Sequence, residues 1–242
     1  MTRHQKTSRP RQTRVVLGFC HTGMVYTPFM ISVLKWQGWE LQNFGGLPAF
    51  SAQQNAIITA SRNELVKGFL ERKDNPEWLW VLDPDMVFQP DVFRRLLALA
   101  DENTIVAAAY WNAFGDERCL TWHAQRENGL RLFKYRPNVD AGIEIGSCGM
   151  GCTLVHRHVL EVMRNALPDD PWPWFGHDLL DTSNGIEHAG EDVTFCLRAR
   201  KAGFRIVGHC GVTVDHFKPH VMAHGESRSI NEQQHMRGSQ AA

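Results

Sequence analysis

The apolar run Trp78–Leu82 constrains the fold more than any other segment of this 242-residue chain. Five consecutive apolar residues stand between Pro76 and Pro84, which is typical of a short strand buried on both faces. Such strands usually lie inside a parallel sheet, and parallel neighbours need long crossover connections, usually helices. The run therefore predicts an α/β protein with residues 78–82 in the central sheet.

The flanking segments alternate in the way that such a sheet requires. Apolar runs predict strands, and apolar side chains at helical spacing predict helices between them. Strands are predicted at 15–20, 39–44, 78–82 and 105–109, with helices after Thr27, within 51–73 and around Pro90. A capping box at Ser51 or at Ser61 fits the start of the second helix. This order favours a mostly parallel sheet with right-handed crossovers, flanked by helices.

The pattern changes after Trp111. Residues 119–123 and 130–135 alternate apolar and polar side chains around Asn128-Gly129, which predicts a small antiparallel hairpin addition. Later strands are predicted at 152–155, 205–207 and 212–214, with helices near 158–165 and at 191–201. Residues 167–189 are rich in Pro, Asp, Gly and Trp and predict a long functional loop.

Composition narrows the class of protein. The chain is 43% hydrophobic and 21% charged, as is ordinary for a folded soluble protein. It contains no membrane-length apolar stretch and no signal-peptide pattern, which favours a cytoplasmic location without membrane contact. The six cysteines form no C-x-x-C pair, and several lie in apolar segments, which favours reduced thiols. A zinc site from Cys148, Cys152 and a histidine is the alternative.

The net charge of zero hides an uneven distribution. Met1–Arg14 carries five positive charges and no acid, which leaves 21 positive against 26 negative residues in the remainder. The predicted organisation is a disordered basic tail at 1–14, a single domain at 15–217 and a partly disordered extension at 218–242. The tail is either a solubilising arm or a tether to a polyanion such as nucleic acid.

Asp83 and Asp85 follow the 78–82 strand, and ligands of open α/β sheets bind beyond the carboxyl ends of the strands. Pro84 favours an extended chain there, in which side chains two residues apart point the same way. Two carboxylates on one short segment suit a divalent cation that also holds phosphate. A turn in which aspartate caps the next helix is the alternative interpretation.

Three further groups are candidates for the same site, and each has a structural alternative. Gly190-Glu191-Asp192 opens a helix, where a carboxylate is either a general base or a cap. His216 ends the last strand and is either a ligand or a structural histidine. Arg62 either pairs with phosphate or lies exposed at a helix start.

Taken in order, these residues resemble the GT-A glycosyltransferases, particularly the family 2-like enzymes often encoded by bacteriophages. The resemblance runs from Val15 to Phe217 and includes His21–Gly23, Ala60–Asn63, the D-x-D strand 79–86, the turn 146–151, the E-D helix at 190–196 and Val214–His216. It implies a GT-A, Rossmann-like fold and a nucleotide-sugar donor, with a UDP-sugar as the first expectation. His21 departs from the family, which frequently carries proline there, so the nucleotide stays open.

The resemblance also implies roles around a metal ion. Asp85 and His216 would bind the cation, with Asp83 near the ribose and the metal. Carboxylate and imidazole together favour Mn²⁺ over Mg²⁺. Thr22 and Arg62 would lie along the nucleotide.

The remaining implied roles concern the sugar and the acceptor. Asp192 would be the base of an inverting displacement, and Glu191 would orient hydroxyl groups. Gly149 and Gly151 would let the backbone approach the donor sugar, unless they only make a tight turn. The aromatic loop residues would either wall the sugar and acceptor sites or anchor the loop in the core; these are Trp172, Trp174 and Phe175.

The predicted function is metal-dependent sugar transfer to an acceptor hydroxyl on a modified DNA base, a virion protein or a glycan. For a phage-encoded enzyme the location would be the host cytoplasm. A non-catalytic nucleotide- or sugar-binding module is the alternative, but such a module should have lost some of the acidic and histidine residues. A metal hydrolase is disfavoured because no H-E-x-x-H motif is present, and His156 and His158 fall where a helix begins.

Overall fold

The computed structural model describes residues 13–114, 117–126, 129–132, 141–182 and 185–218. Over these ranges the chain forms a seven-stranded sheet with helices on both faces and four small antiparallel sheets. Most of the predicted basic tail, nearly all of the predicted C-terminal extension and the end of the predicted 130–135 strand lie outside the described residues.

The helices are α1 (Thr27–Phe44), α2 (Ile58–Leu70), α3 (Val92–Leu97), α4 (Arg157–Ala166) and α5 (Glu191–Lys201). The strands of the first half are β1 (Val15–His21), β2 (Ala49–Gln54), β3 (Trp78–Leu82), β4 (Met86–Val87), β5 (Thr104–Ala109), β6 (Trp111–Phe114), β7 (Glu117–Leu120) and β8 (Trp122–Arg126). Those of the second half are β9 (Gly129–Leu132), β10 (Gly142–Glu144), β11 (Ser147–Cys148), β12 (Cys152–His156), β13 (Leu179–Thr182), β14 (Gly185–His188), β15 (Arg205–Thr213) and β16 (Asp215–His216).

The large sheet has the strand order β10-β15-β5-β12-β3-β1-β2. Strands β2, β1, β3, β5 and β15 run in one direction, which confirms the mostly parallel sheet, while β12 and β10 run against them. β12 lies between β3 and β5 and pairs Cys152 with Leu82 and Thr153 with Ala107. Because β12 is reversed, it begins at the sheet edge where β3 and β5 end.

The two faces of the sheet bury separate clusters of apolar side chains. One face packs against α2, α4 and α5 through side chains such as Phe69, Leu160 and Phe195. The other packs against α1 and α3, where Trp36 and Trp80 lie edge to face with ring centroids 5.1 Å apart. Strand 78–82 is buried throughout, as the sequence predicted.

The predicted strand at 39–44 is wrong. Helix α1 continues to Phe44 and ends at Gly45, whose φ of 75° gives the left-handed turn that often terminates a helix. Glu40 is 2% exposed because Arg94 of α3 binds its carboxylate, so a charged residue lies on the buried face. The second strand is instead Ala49–Gln54, a partly exposed edge strand without an apolar run.

Other boundaries shift for identifiable reasons. Ser51 lies in β2 and Ser61 inside α2, which begins at Ile58, so neither predicted capping box forms. The predicted hairpin is confirmed between β8 and β9. Residues 119 and 120, which were predicted to belong to its first strand, lie in β7, which pairs with β6. The loop 167–189 carries the hairpin β13–β14, and the last two predicted strands form one strand, β15, with an irregular register after His209.

Free thiols are found at Cys20, Cys119, Cys148, Cys152 and Cys196. Cys148 and Cys196 have Sγ atoms 3.9 Å apart in the buried contact between β11 and α5. Within the described ranges, no three His, Cys, Asp or Glu side chains lie close enough to hold a metal ion by themselves, so the zinc alternative gains no support. No helix in the described part of the chain is both long and apolar enough to cross a membrane.

Candidate active site

The turn after β3 is held by hydrogen bonds from three distant segments. Asp83 N donates to Gly151 O at 3.0 Å, Tyr26 N to Pro84 O at 3.3 Å, and Phe217 N to Asp85 O at 2.8 Å. Strand β16 pairs with β4 and sets His216 opposite Met86. The turn therefore carries Asp83 and Asp85 at the end of the sheet where β3 finishes. Strand β12 begins there, and the chain returns there after β15.

Asp85 and His216, which were predicted to bind the same cation, lie in direct contact. His216 Nε2 is 3.0 Å from Asp85 Oδ2, and Lys218 Nζ donates to the same oxygen at 2.8 Å. The other oxygen, Oδ1, is buried and has no hydrogen-bond partner. Burial acts to raise the pKa of Asp85, but hydrogen bonds from His216 and Lys218 outweigh it and lower that pKa below its usual value.

The second ring nitrogen of His216 constrains how the ring can act. Nδ1 lies 3.2 Å from Trp111 O, a contact that requires a proton on Nδ1. With Nδ1 bonded to the carbonyl oxygen, Nε2 can donate to Asp85 Oδ2 only when the ring carries both protons, and a cation bound at Nε2 would take the place of that second proton. A histidine whose Nδ1–H binds a backbone carbonyl is also the usual form of a metal-ligating imidazole.

Arg62 joins two ends of the site. Its side chain is 6% exposed, and it binds Glu191 Oε1 at 2.8 Å and Asp83 Oδ1 at 3.0 Å. The guanidinium lies 5.7 Å from the ring centre of Phe175. Burial acts to lower the pKa of Arg62, but Asp83 and Glu191 outweigh it and raise that pKa. Asp83 thus faces Arg62, and the arginine links the end of β3 to the start of α5.

Glu191 and Asp192 form the first turn of α5, where a helix favours negative charge. Arg62 engages Glu191, whereas Asp192 Oδ1 accepts a hydrogen bond from Val193 N at 2.8 Å. Burial and the neighbouring Glu191 raise the pKa of Asp192, against the opposing effect of Arg62. Asp192 thus combines a raised pKa with a position next to the carboxylate that Arg62 binds, and a raised pKa suits a group that accepts a proton.

Gly149 and Gly151, predicted to let the backbone approach a donor sugar or to make a tight turn, make room for a tyrosine. A Cβ at Gly149 would lie 2.1 Å from the Tyr110 hydroxyl oxygen, and one at Gly151 would lie 2.7 Å from its ring. Gly151 N donates to that hydroxyl at 3.0 Å. Tyr110 also contacts His216 edge to face, with ring centres 5.7 Å apart. The glycine turn therefore positions Tyr110 behind the histidine.

We expect Gly149→Ala to destabilise the protein by about 1–3 kcal/mol, the usual range for overpacking. The added methyl group would push Tyr110 away from the turn. Urea unfolding measures the change. Gly38→Ala is the matched control, because a Cβ at Gly38 in α1 meets nothing within 4 Å and alanine favours the helix by roughly 0.5–1 kcal/mol. Equal stability of wild type and Gly149→Ala would show that Tyr110 is not held this way.

The aromatic loop is anchored in the core, which was the alternative to a wall around the sugar. Trp174 is 4% and Phe175 1% exposed. Trp174 Nε1 donates to Leu160 O at 2.8 Å, and Phe175 stacks on Phe195 with ring centres 4.8 Å apart. Trp172 is the exposed aromatic of the three.

Asn63 is a buried residue whose importance the sequence did not reveal. Its Nδ2 donates to Thr59 O and Phe175 O, each at 2.8 Å, and its Oδ1 accepts from Trp174 N and Phe175 N. These bonds fix the aromatic loop to α2, and so set the position of Phe175 beside Arg62. Tyr110 and Lys218 were missed as well; only the closeness of Lys218 to His216 in sequence could have drawn attention to it.

Thr22 lies exposed in the loop after β1, in which Gly23 N donates to His21 Nδ1 at 3.1 Å. A cavity of about 510 Å³ opens beside His216; its lining includes Trp111, Asn112, Arg118, Asp215 and Lys218. A second cavity of about 570 Å³ lies between α4, α5 and β13 and touches none of the predicted site residues. Of these two cavities, the one beside His216 adjoins the candidate site.

Comparisons with known proteins agree with this architecture. The model of the glycosyltransferase like family 2 matches residues 51–241. No curated protein matches the chain significantly. The crystal structure of A197 from STIV is similar over 86% of this chain and 87% of its own, with 19% identity and a TM-score of 0.57. The structure of GalNAc-T7 with UDP, GalNAc and Mn²⁺ is similar over 86% of this chain and 44% of its own, with 10% identity and a TM-score of 0.56.

At these identities the structural likenesses establish a shared fold, while the family match spans most of the sequence. The mostly parallel sheet, the flanking helices and the small antiparallel sheets are those of the GT-A fold. The chain therefore belongs to the glycosyltransferase like family 2 and is a glycosyltransferase of the GT-A type.

Proposed function

We propose that this protein transfers a sugar from a nucleotide-sugar donor, with a UDP-sugar favoured, to an acceptor hydroxyl in a metal-dependent, inverting reaction. The observation that carries the proposal is the convergence of two groups on one edge of the sheet. Asp85 contacts His216, and Arg62 joins Asp83 to the helix that bears Asp192. GalNAc-T7, which shares the fold, was crystallised with UDP, GalNAc and Mn²⁺ and supports the choice of donor and metal.

The residues present fit a divalent cation. The Oδ1 atom of Asp85 is buried without a hydrogen-bond partner, and its Oδ2 atom already binds the positively charged Lys218. The Nδ1 atom of His216 contacts the backbone oxygen of Trp111. Carboxylate and imidazole together suit Mn²⁺. Asp85 and His216 would hold the ion, and the diphosphate would complete its coordination because the described chain offers no third ligand in place. When bound, the ion supplies positive charge to the diphosphate leaving group.

The chain's own residues would perform the remaining tasks. Asp192 takes the proton of the acceptor hydroxyl as that oxygen attacks the sugar. Glu191, oriented by Arg62, binds hydroxyl groups of the sugar or the acceptor. From its buried position Arg62 binds the carboxylates of Asp83 and Glu191, and it would thereby fix the distance between the donor end and the acceptor end of the site. Thr22, which is exposed after β1, would line the nucleotide.

A thermal-shift panel of nucleotide sugars, with and without Mn²⁺, tests the donor and the metal. At a ligand concentration of 100 times Kd, binding adds about 2.7 kcal/mol of stability. We expect this shift for one nucleotide only in the presence of Mn²⁺, and we expect Asp85→Ala to abolish it. Asp74→Ala, which removes an exposed carboxylate paired with Arg72, is the control and should keep the shift. A shift that survives in Asp85→Ala would contradict the assignment.

The choice of acceptor that we propose rests on the charge of the N-terminal segment. The five positive residues of Met1–Arg14 favour a polyanionic acceptor, such as DNA that carries hydroxylated bases, over a neutral glycan or a virion protein. Transfer of radiolabelled sugar to DNA with and without base hydroxyls, at rising salt, tests this choice. Incorporation into a glycan or a virion protein alone would overturn it.

A further inference from the structure

Lys218 reaches the same carboxylate oxygen as His216. Its Nζ donates to Asp85 Oδ2 at 2.8 Å, although the lysine side chain is 60% exposed and the aspartate side chain 16%. The lysine thus extends from an open position to a partly buried negative charge. A partly buried carboxylate without a positive partner is costly, so the lysine compensates for part of the charge on Asp85.

The backbone around Lys218 is held independently of its side chain. β16 pairs with β4, Phe217 N donates to Asp85 O at 2.8 Å, and the ring of Phe217 lies 5.3 Å from that of Tyr26. These contacts keep residue 217 docked on the turn whether or not Nζ binds Asp85. The long, flexible lysine side chain can therefore leave the carboxylate while the strand pairing stays in place.

We propose that Lys218 is an internal counter-ion of the cation site, which occupies Asp85 in the metal-free protein and exchanges with the divalent cation. The inference rests on the proposed metal-dependent function. A divalent ion bound through Asp85 and His216 would face the ammonium group at close range, and two positive charges at that distance repel. Binding of the ion therefore releases Nζ toward the neighbouring cavity, which Lys218 also lines.

The exchange predicts that removal of the lysine charge strengthens metal binding. An exposed ion pair contributes up to about 1 kcal/mol, so Lys218→Gln should bind Mn²⁺ alone about fivefold more tightly than wild type. Binding is measured from the electron paramagnetic resonance signal of free Mn²⁺ without any nucleotide. Lys218→Arg keeps the charge and should stay close to wild type, and Lys35→Gln removes a distant exposed charge from α1 and should have no effect.

A second readout follows the lysine itself. In the wild-type protein, acetylation of Lys218 by a water-soluble active ester, quantified by mass spectrometry against Lys35, should increase when Mn²⁺ is added. Equal Mn²⁺ affinity of wild type and Lys218→Gln would overturn the exchange while leaving the metal site intact. Absence of Mn²⁺ binding in both proteins would overturn the exchange and the proposed metal dependence together. Tighter binding in Lys218→Gln, with metal-induced acetylation in wild type, would establish it.

Discussion

Replacement of Asp192 by Asn is expected to lower kcat by about 10²–10⁴-fold, the usual contribution of a general base. Asparagine keeps the size of the side chain but cannot take the proton of the acceptor hydroxyl. Donor binding should survive, because the contacts predicted for the donor lie on Asp83, Asp85 and His216 instead. Steady-state transfer rates measure the first effect, and metal-dependent thermal shifts with the donor measure the second.

Glu191→Gln is the informative comparison for this variant. Glu191 is bound by Arg62, so its expected role is orientation, and its loss should cost less in kcat than the loss of Asp192. Full transfer activity in Asp192→Asn, with normal donor binding, would show that another group takes the proton. A larger loss in Glu191→Gln than in Asp192→Asn would exchange the two roles.

The pH dependence provides a further check on Asp192. Its pKa is raised by burial and by Glu191, with Asp83 acting in the same direction and Arg62 against it. A base must be ionised, so the acidic limb of the kcat profile should lie above about pH 3.9, the usual value for aspartate. A folded-state pKa above the unfolded one means that the contribution of Asp192 to stability is present at low pH and is lost as pH rises through the folded pKa. Asp192→Asn should remove this dependence.

Arg62→Met is expected to destabilise the protein by about 3 kcal/mol. Removal of one partner from a buried ion pair leaves uncompensated charge, which typically costs 3–5 kcal/mol. The low end applies because Asp83 and Glu191 keep 28% and 19% of their side-chain surface exposed. The variant should also lose transfer activity, since nothing else described links Asp83 to Glu191. Urea unfolding and transfer assays measure the two effects.

Arg72→Met is the matched control for Arg62→Met. Arg72 binds Asp74 at 2.9 Å on the surface, with side chains 32% and 59% exposed. Such pairs contribute about 0–1 kcal/mol, so this variant should unfold nearly as wild type does. If the two arginine variants lost the same small stability, the buried network would not be what holds the site together.

The sequence predicted those strands whose burial on both faces produces a continuous apolar run. Trp78–Leu82 is buried on both faces and reads directly as a strand. Ala49–Gln54 was missed because it is an edge strand whose side chains are polar or partly exposed. The segment 39–44 was predicted as a strand but is the last part of helix α1. The helical pattern is hard to recognise there because the charged Glu40 lies on the buried face, and its burial is explained only by its ion pair with Arg94 of α3.

The same distinction applies to the candidate site. Asp85, His216 and Asp192 could be proposed because acid and imidazole groups at strand and helix ends follow recognisable patterns. Asn63, Tyr110 and Lys218 act through contacts with residues far away in sequence, and no local pattern marks such contacts. The glycines at 149 and 151 were noticed, but the tyrosine that requires them lies about 40 residues earlier.

The reversed strand β12 has a consequence for how the molecule assembles. Strands β3 and β5 do not pair with each other, and β12 is what joins β2-β1-β3 to β5-β15-β10 in the large sheet. A growing polypeptide can therefore complete the β2-β1-β3 portion early, whereas β5 joins it only through residues 152–156, and β15 is added later still. The same strand brings Gly151 to Asp83, so the pairing of β12 with β3 both extends the sheet and helps to hold the turn that carries Asp83 and Asp85.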